Sequence, residues 1–149
     1  MTLPCAPRPI AILLVEDNPG DARLVREALK SAGIDSLLTV ARDGEEALDL
    51  LRGIHPAREA VRPDLILLDL NLPRKDGREL LAEIKQDPSL QRIPVVVLTS
   101  SAAAQDIRTA YELQANSYIV KQVSLEEFTK AIASIHHFWL SLVTLPPSA

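Results

Sequence analysis

Cysteine is nearly absent from this 149-residue chain: Cys5 is the only one. No intrachain disulfide can form, which fits a reducing cytoplasm. Histidine is scarce too, and His55, His136 and His137 have no partner motif, so each reads as a surface residue and not as a phospho-histidine. No run of lysine or arginine stands out, and the net charge is −4. That argues against direct binding of nucleic acid. Long apolar runs are also missing; the longest are strand-sized, well short of the ~20 residues a spanning helix needs. The stretch from Met1 to Pro9 carries three prolines and no apolar h-region, so no signal peptide is expected there. There is no internal repeat and no low-complexity segment.

What is present is an alternation of buried strands and capped helices. Hydrophobic residues make up 47% of the chain, enough for one compact domain with a sizeable core. Ile10 to Val15, Leu65 to Leu68 and Val95 to Leu98 are continuous apolar runs, as expected of strands covered on both faces in a parallel sheet. Ser36 to Ala41 and Ser117 to Val120 are weaker strand candidates. Helix starts lie between them. Asn18-Pro19 opens the first, which Gly33 stops. Asp43-x-x-Glu46, Asp76-x-x-Glu79 and Ser124-x-x-Glu127 open three more. Another helix follows Ser100-Ser101 and runs to about Leu113. The resulting order is βα repeated five times, an α/β, doubly wound, five-stranded parallel sheet of flavodoxin-like form. The expected organisation is a flexible N-terminus over 1–9, one domain over 10–144 with an extended C-terminal helix, and a frayed tail over 145–149. Residues 53–63 are expected to form an irregular surface loop.

In open α/β sheets, ligands bind beyond the carboxyl ends of the strands. There the chain places Glu16 and Asp17 after the first strand, Asp69 after the third, Thr99 and Ser100 after the fourth and Lys121 after the fifth. Taken singly, Asp17 reads as a helix-terminal acid and Asp69 as a turn residue. Together on one rim, three carboxylates repel one another, and a divalent cation relieves that repulsion. An all-oxygen set favours Mg²⁺ (or Mn²⁺), and the lack of histidine and cysteine ligands disfavours zinc. A cation with a carboxylate nucleophile and a nearby ammonium suits phosphoryl transfer, with Asp69 as acceptor and Thr99 and Lys121 on the phosphoryl oxygens.

The motifs LLVEDNP, LILLDLNLPRKDG, VVVLTSS and YIVK, in this order and spacing, resemble the receiver domains of two-component signalling. The resemblance spans about Ile10 to Ile135. It implies that Asp17 binds Mg²⁺ directly and Glu16 assists through water. It makes Asp69 the phospho-acceptor, the Asn71 carbonyl a metal ligand, Thr99 and Lys121 the phosphoryl ligands, and Thr99 with Tyr118 the switch pair. It implies a regulator that assists its own phosphorylation and dephosphorylation and is otherwise not an enzyme. Its donor is a sensor histidine kinase. LVEDNPGDARLVREAL, the long loop and the apolar C-terminal extension resemble stand-alone regulators paired with bacterial phytochrome kinases.

One departure is Gln122 after Lys121, where the family has proline and a cis peptide. A cis bond before a non-proline residue costs ~2.5–4 kcal/mol, so a trans Lys121-Gln122 bond is expected, or else a cis bond retained under strain by its surroundings. Leu125, Phe128, Ile132, Ile135, Trp139 and Leu142 form a heptad-like stripe. Its first half should pack on the sheet. Phe138, Trp139, Leu142 and Val143 would then form the contact of a homodimer. Two other functions compete. A small-molecule enzyme on this fold lacks its Gly-rich phosphate loop here, because Asp17-Asn18-Pro19-Gly20 is acidic. A receiver-like interaction module independent of phosphorylation remains the alternative.

Overall fold

The computed structural model describes residues 9–72, 76–99, 104–120, 125–135 and 137. Five parallel strands form one sheet: β1 (Ile10–Val15), β2 (Ser36–Ala41), β3 (Leu65–Leu68), β4 (Val95–Thr99) and β5 (Ser117–Val120), in the spatial order β2-β1-β3-β4-β5. Five helices alternate with them: α1 (Pro19–Ser31), α2 (Gly44–Arg52), α3 (Gly77–Gln86), α4 (Ala104–Glu112) and α5 (Leu125–Ile135). The sequence expectation of a doubly wound (βα)5 sheet is met.

Two apolar layers explain why β1 and β3 carry no polar residues and β4 none before its last position. Side chains alternate across a strand. Leu13, Val15, Ile66, Leu68, Val95 and Val97 therefore face one core, with Leu80 and Ile84 of α3. Ile12, Leu14, Leu65, Leu67, Val96 and Leu98 face the other, with Val25 and Leu29 of α1 and Ile132 of α5. Ile132 thus reaches this layer as its place in the stripe predicts, while the side chains of Leu125, Phe128 and Ile135 lie outside the described ones. Phe138, Trp139, Leu142 and Val143 lie outside the described residues, and so does Ser124.

The helix starts follow from the caps. The Asn18 side chain accepts hydrogen bonds from the Gly20 and Asp21 amides at 2.8 and 3.1 Å, with Pro19 in the first turn. Asp43 accepts from the Glu46 amide at 2.8 Å, and Glu46 reaches back to the Arg42 amide at 3.1 Å. Asp76 accepts from the Arg78 amide at 2.7 Å. Helix α1 closes at Ala32, and the left-handed turn expected there is made by Gly33 at φ 71°.

The loop over residues 53–63 lacks helix and strand, as expected, but it is pinned. The Val61 amide donates to the Leu50 carbonyl at 3.0 Å, and Arg58 and Arg62 donate to the Val40 and Leu51 carbonyls. His55 departs from the surface-residue expectation. It is half-buried, its Nδ1 accepts from the Ala57 amide at 3.1 Å, and its Nε2 lies 3.6 Å from Glu46.

Candidate functional site

The site forms where the parallel register brings strand ends to one level. Val15 of β1 pairs with Leu68 of β3, so Glu16 and Asp69 emerge side by side. The Asp69 amide donates to the Val15 carbonyl at 3.1 Å and the Glu16 amide to the Ala41 carbonyl at 2.9 Å, which extends the ladder one residue past the strands. The acids are therefore anchored by backbone and stand on rigid elements.

Glu16, Asp17 and Asp69 each offer a carboxylate oxygen, and these atoms all lie within 4.8 Å of one another. Glu16 and Asp69 are buried, at 2% and 7% exposure, whereas Asp17 is exposed. Like charges this close, two of them out of water, repel strongly. The donor set is all oxygen and open to solvent on the Asp17 side. It fits a hard divalent cation of the Mg²⁺ type that keeps some of its waters.

Hydrogen bonds orient two of the three. The Asn71 amide donates to Asp69 Oδ1 at 3.1 Å, and the Asn18 amide approaches Glu16 Oε2 at 3.4 Å. Asn71 thus stands beside Asp69 in the turn that follows β3. Thr99 ends β4, in register with Val120 of β5. Tyr118 pairs with Val97 and is half-buried against the core layer that holds α3. Lys121 follows Val120 directly but lies outside the described residues, as does Gln122 and with it the expected trans bond. Asp76 caps α3, as its position before a helix predicts.

Gly77 is a site residue that the motif reading passed over. A Cβ placed on it would lie 2.3 Å from the Asp69 carbonyl oxygen and 2.6 Å from the Leu70 Cα. The Gly77 amide donates to the Leu70 carbonyl at 3.0 Å. The start of α3 is therefore tucked under the Asp69–Leu70 turn, closer than any side chain allows. The only sequence signal was glycine at the end of LILLDLNLPRKDG.

Known proteins fit this geometry. Residues 12–133 match the model of the response regulator receiver domain. Response regulator Rcp1 of Synechocystis sp. is 52% identical over 138 residues, covering 93% of this chain and 94% of Rcp1. The crystal structure of the Mn²⁺-bound form of Rcp1 superposes with a TM-score of 0.83, covering 93% of this chain and 100% of that one. That of the phosphorylated cyanobacterial phytochrome response regulator RcpA gives a TM-score of 0.86 at 50% identity, covering 94% and 100%.

Proposed function

We propose a phosphoryl-accepting role for this chain, which belongs to the response regulator receiver domain family. A histidine kinase donates the group, and Asp69 accepts it. An Asp69 carboxylate oxygen forms a P–O bond as the P–N bond of the donor phosphohistidine breaks. The imidazole nitrogen keeps the electron pair and takes a proton. The observation that carries this reading is the buried Asp69 carboxylate beside Glu16 and Asp17, with oxygen atoms within 4.8 Å. Such a nucleophile is held in place by its backbone and by the Asn71 amide, which suits a reaction governed by positioning and charge neutralisation.

In this reading Asp17, Glu16, Asp69 and the Asn71 carbonyl hold Mg²⁺ or Mn²⁺. The bound ion supplies neutralisation of charge on the phosphoryl oxygens. The Mn²⁺ in the Rcp1 structure supports this assignment. Thr99 and Lys121 take the remaining phosphoryl oxygens. Tyr118, half-buried against the core at β5, responds to the movement of Thr99 and carries the signal. The chain acts in the cytoplasm as a relay rather than as an enzyme with turnover.

The kinase we assign is of the phytochrome type, supported by the likeness to Rcp1 and to the phytochrome response regulator RcpA. The apolar segment that carries Phe138, Trp139, Leu142 and Val143 supports a homodimer through the C-terminal helix. A monomeric mass at high micromolar concentration removes the dimer from this reading.

Incubation with Mg²⁺ and acetyl phosphate, followed by intact mass, tests the core assignment. The expected result is the added mass of one phosphoryl group, absent in Asp69→Asn and without Mg²⁺. No added mass under any Mg²⁺ condition rejects the assignment and favours an interaction module independent of phosphorylation.

A further inference from the structure

Beside the acidic cluster lies a surface cavity of about 510 Å³ whose chemistry phosphoryl transfer does not use. Its wall contains four guanidinium groups, those of Arg23, Arg26, Arg42 and Arg58. They come from separate parts of the chain. Arg23 and Arg26 stand on α1 in one stripe with Pro19 and Ala22, at helical spacing, next to the stripe that Val25, Ala28 and Leu29 bury in the core. Arg42 follows β2, and Arg58 is held over the edge strand by its bond to the Val40 carbonyl at 3.1 Å.

The carboxylates in the same wall are already engaged. Glu46 takes Arg58 at 3.3 Å and the Arg42 amide at 3.1 Å, and it lies 3.6 Å from His55. Glu16 and Asp17 belong to the cation cluster. Among the described residues, the side chains of Arg23, Arg26 and Arg42 make no hydrogen bond or ion pair. A chain of net charge −4 has thus gathered like charges into one concave site. An anion there gains charge-assisted, bidentate bonds that water alone does not match.

The rest of the lining narrows the class of anion. Its apolar residues are Pro19, Ala22 and Val40, with no aromatic ring. A nucleobase finds no aromatic ring to stack on, and a hydrophobic ligand finds little apolar surface. The four arginines are exposed, so the groove suits a segment laid across it more than an enclosed small molecule. We propose that this arginine-lined pocket docks a segment rich in aspartate and glutamate from a protein partner, seated against the rim that carries Asp17. Glu16 and Asp17 in the same wall oppose such a segment, so its acidic groups sit toward Arg23, Arg26 and Arg42. The contact is electrostatic and weakens with salt.

The test needs no phosphodonor, so its failure leaves the phosphoryl-acceptor reading untouched. A fluorescein-labelled oligoglutamate peptide is titrated with the full chain at low salt with Mg²⁺, and anisotropy is read. An oligoglutamine peptide of equal length is the control. The expected result is binding of oligoglutamate alone, weakened about tenfold or more in Arg23→Glu/Arg26→Glu. Lys30→Glu/Arg92→Glu changes the net charge equally outside the pocket and retains binding. Circular dichroism checks the fold, and Arg42→Ala replaces the double variant if that one unfolds. Equal loss in both double variants overturns the proposal, as does equal binding of the two peptides. Tighter binding of inorganic tripolyphosphate, lost in the same arginine variants, overturns it in favour of a small polyanion.

Discussion

Replacing Gly77 by alanine drives a methyl carbon into the backbone of the turn that holds Asp69. The new Cβ would stand 2.3 Å from the Asp69 carbonyl oxygen, 2.6 Å from the Leu70 Cα and 2.9 Å from the Leu70 carbonyl oxygen. None of these atoms is the tip of a flexible side chain. Reaching ordinary contact therefore requires about 1 Å of backbone movement at the start of α3, in the turn or in both. Overpacking of this kind costs about 2 kcal/mol. For a domain of this size that is roughly 6 °C in Tm. The chemical effect should be larger. Asp69 Oδ1 is aimed by the Asn71 amide at 3.1 Å, within the same turn. A displacement of ~1 Å at reacting groups can cost about a hundredfold in rate. Urea unfolding gives the first quantity, and the time course of phosphorylation by acetyl phosphate, read by intact mass, gives the second. A Gly77→Ala protein with wild-type stability and wild-type rate refutes the close approach. Lost stability at an unchanged rate refutes the link between Gly77 and the placement of Asp69.

Three further outcomes follow from the geometry. Asp69→Asn removes one of three like charges within 4.8 Å but keeps an oxygen for the Asn71 amide. The metal-free protein should therefore gain about 1 kcal/mol in urea unfolding, and saturating Mg²⁺ should erase the advantage. Ile132→Ala empties a position at 3% exposure where α5 meets the sheet. It should cost about 2–4 kcal/mol, and a loss under half of that would mean that α5 is not part of the core. Asp87 is held below 3.8 first by the Ser89 hydroxyl and amide and then by Arg52. Its contribution is fully present above that value and is lost as pH falls through the lower folded value. Asp87→Asn should flatten the acid limb of the pH–stability curve, and an unchanged limb would show that the Ser89 contact is not maintained in solution.

The legible parts of the fold were those that repeat along the chain. IAILLV, LILL and VVVL read as strands covered on both faces because every position on them is apolar, and the structure buries them in two layers. Asn18, Asp43 and Asp76 announced their helices because a cap is a local bond to an amide two or three residues on. The acids Glu16, Asp17 and Asp69 were legible because strand ends are where such folds place chemistry. Gly77 was missed because its constraint is a contact with Asp69 and Leu70 across a turn, and no periodicity encodes that. His55 was read as a surface residue because its partner, Glu46, lies in another element.

By itself, the sequence determined the element order, the caps of α1, α2 and α3 and the acids at the strand ends, since those rest on side-chain periodicity and on bonds between near neighbours. Only the tertiary structure decided how far apart the three carboxylates stand, because that distance depends on the parallel register of β1 with β3, a pairing between residues some fifty positions apart. It also decided that Arg23, Arg26, Arg42 and Arg58 share one pocket. Charges scattered along a chain acquire a common field only when folding brings them within a Debye length of about 8–10 Å.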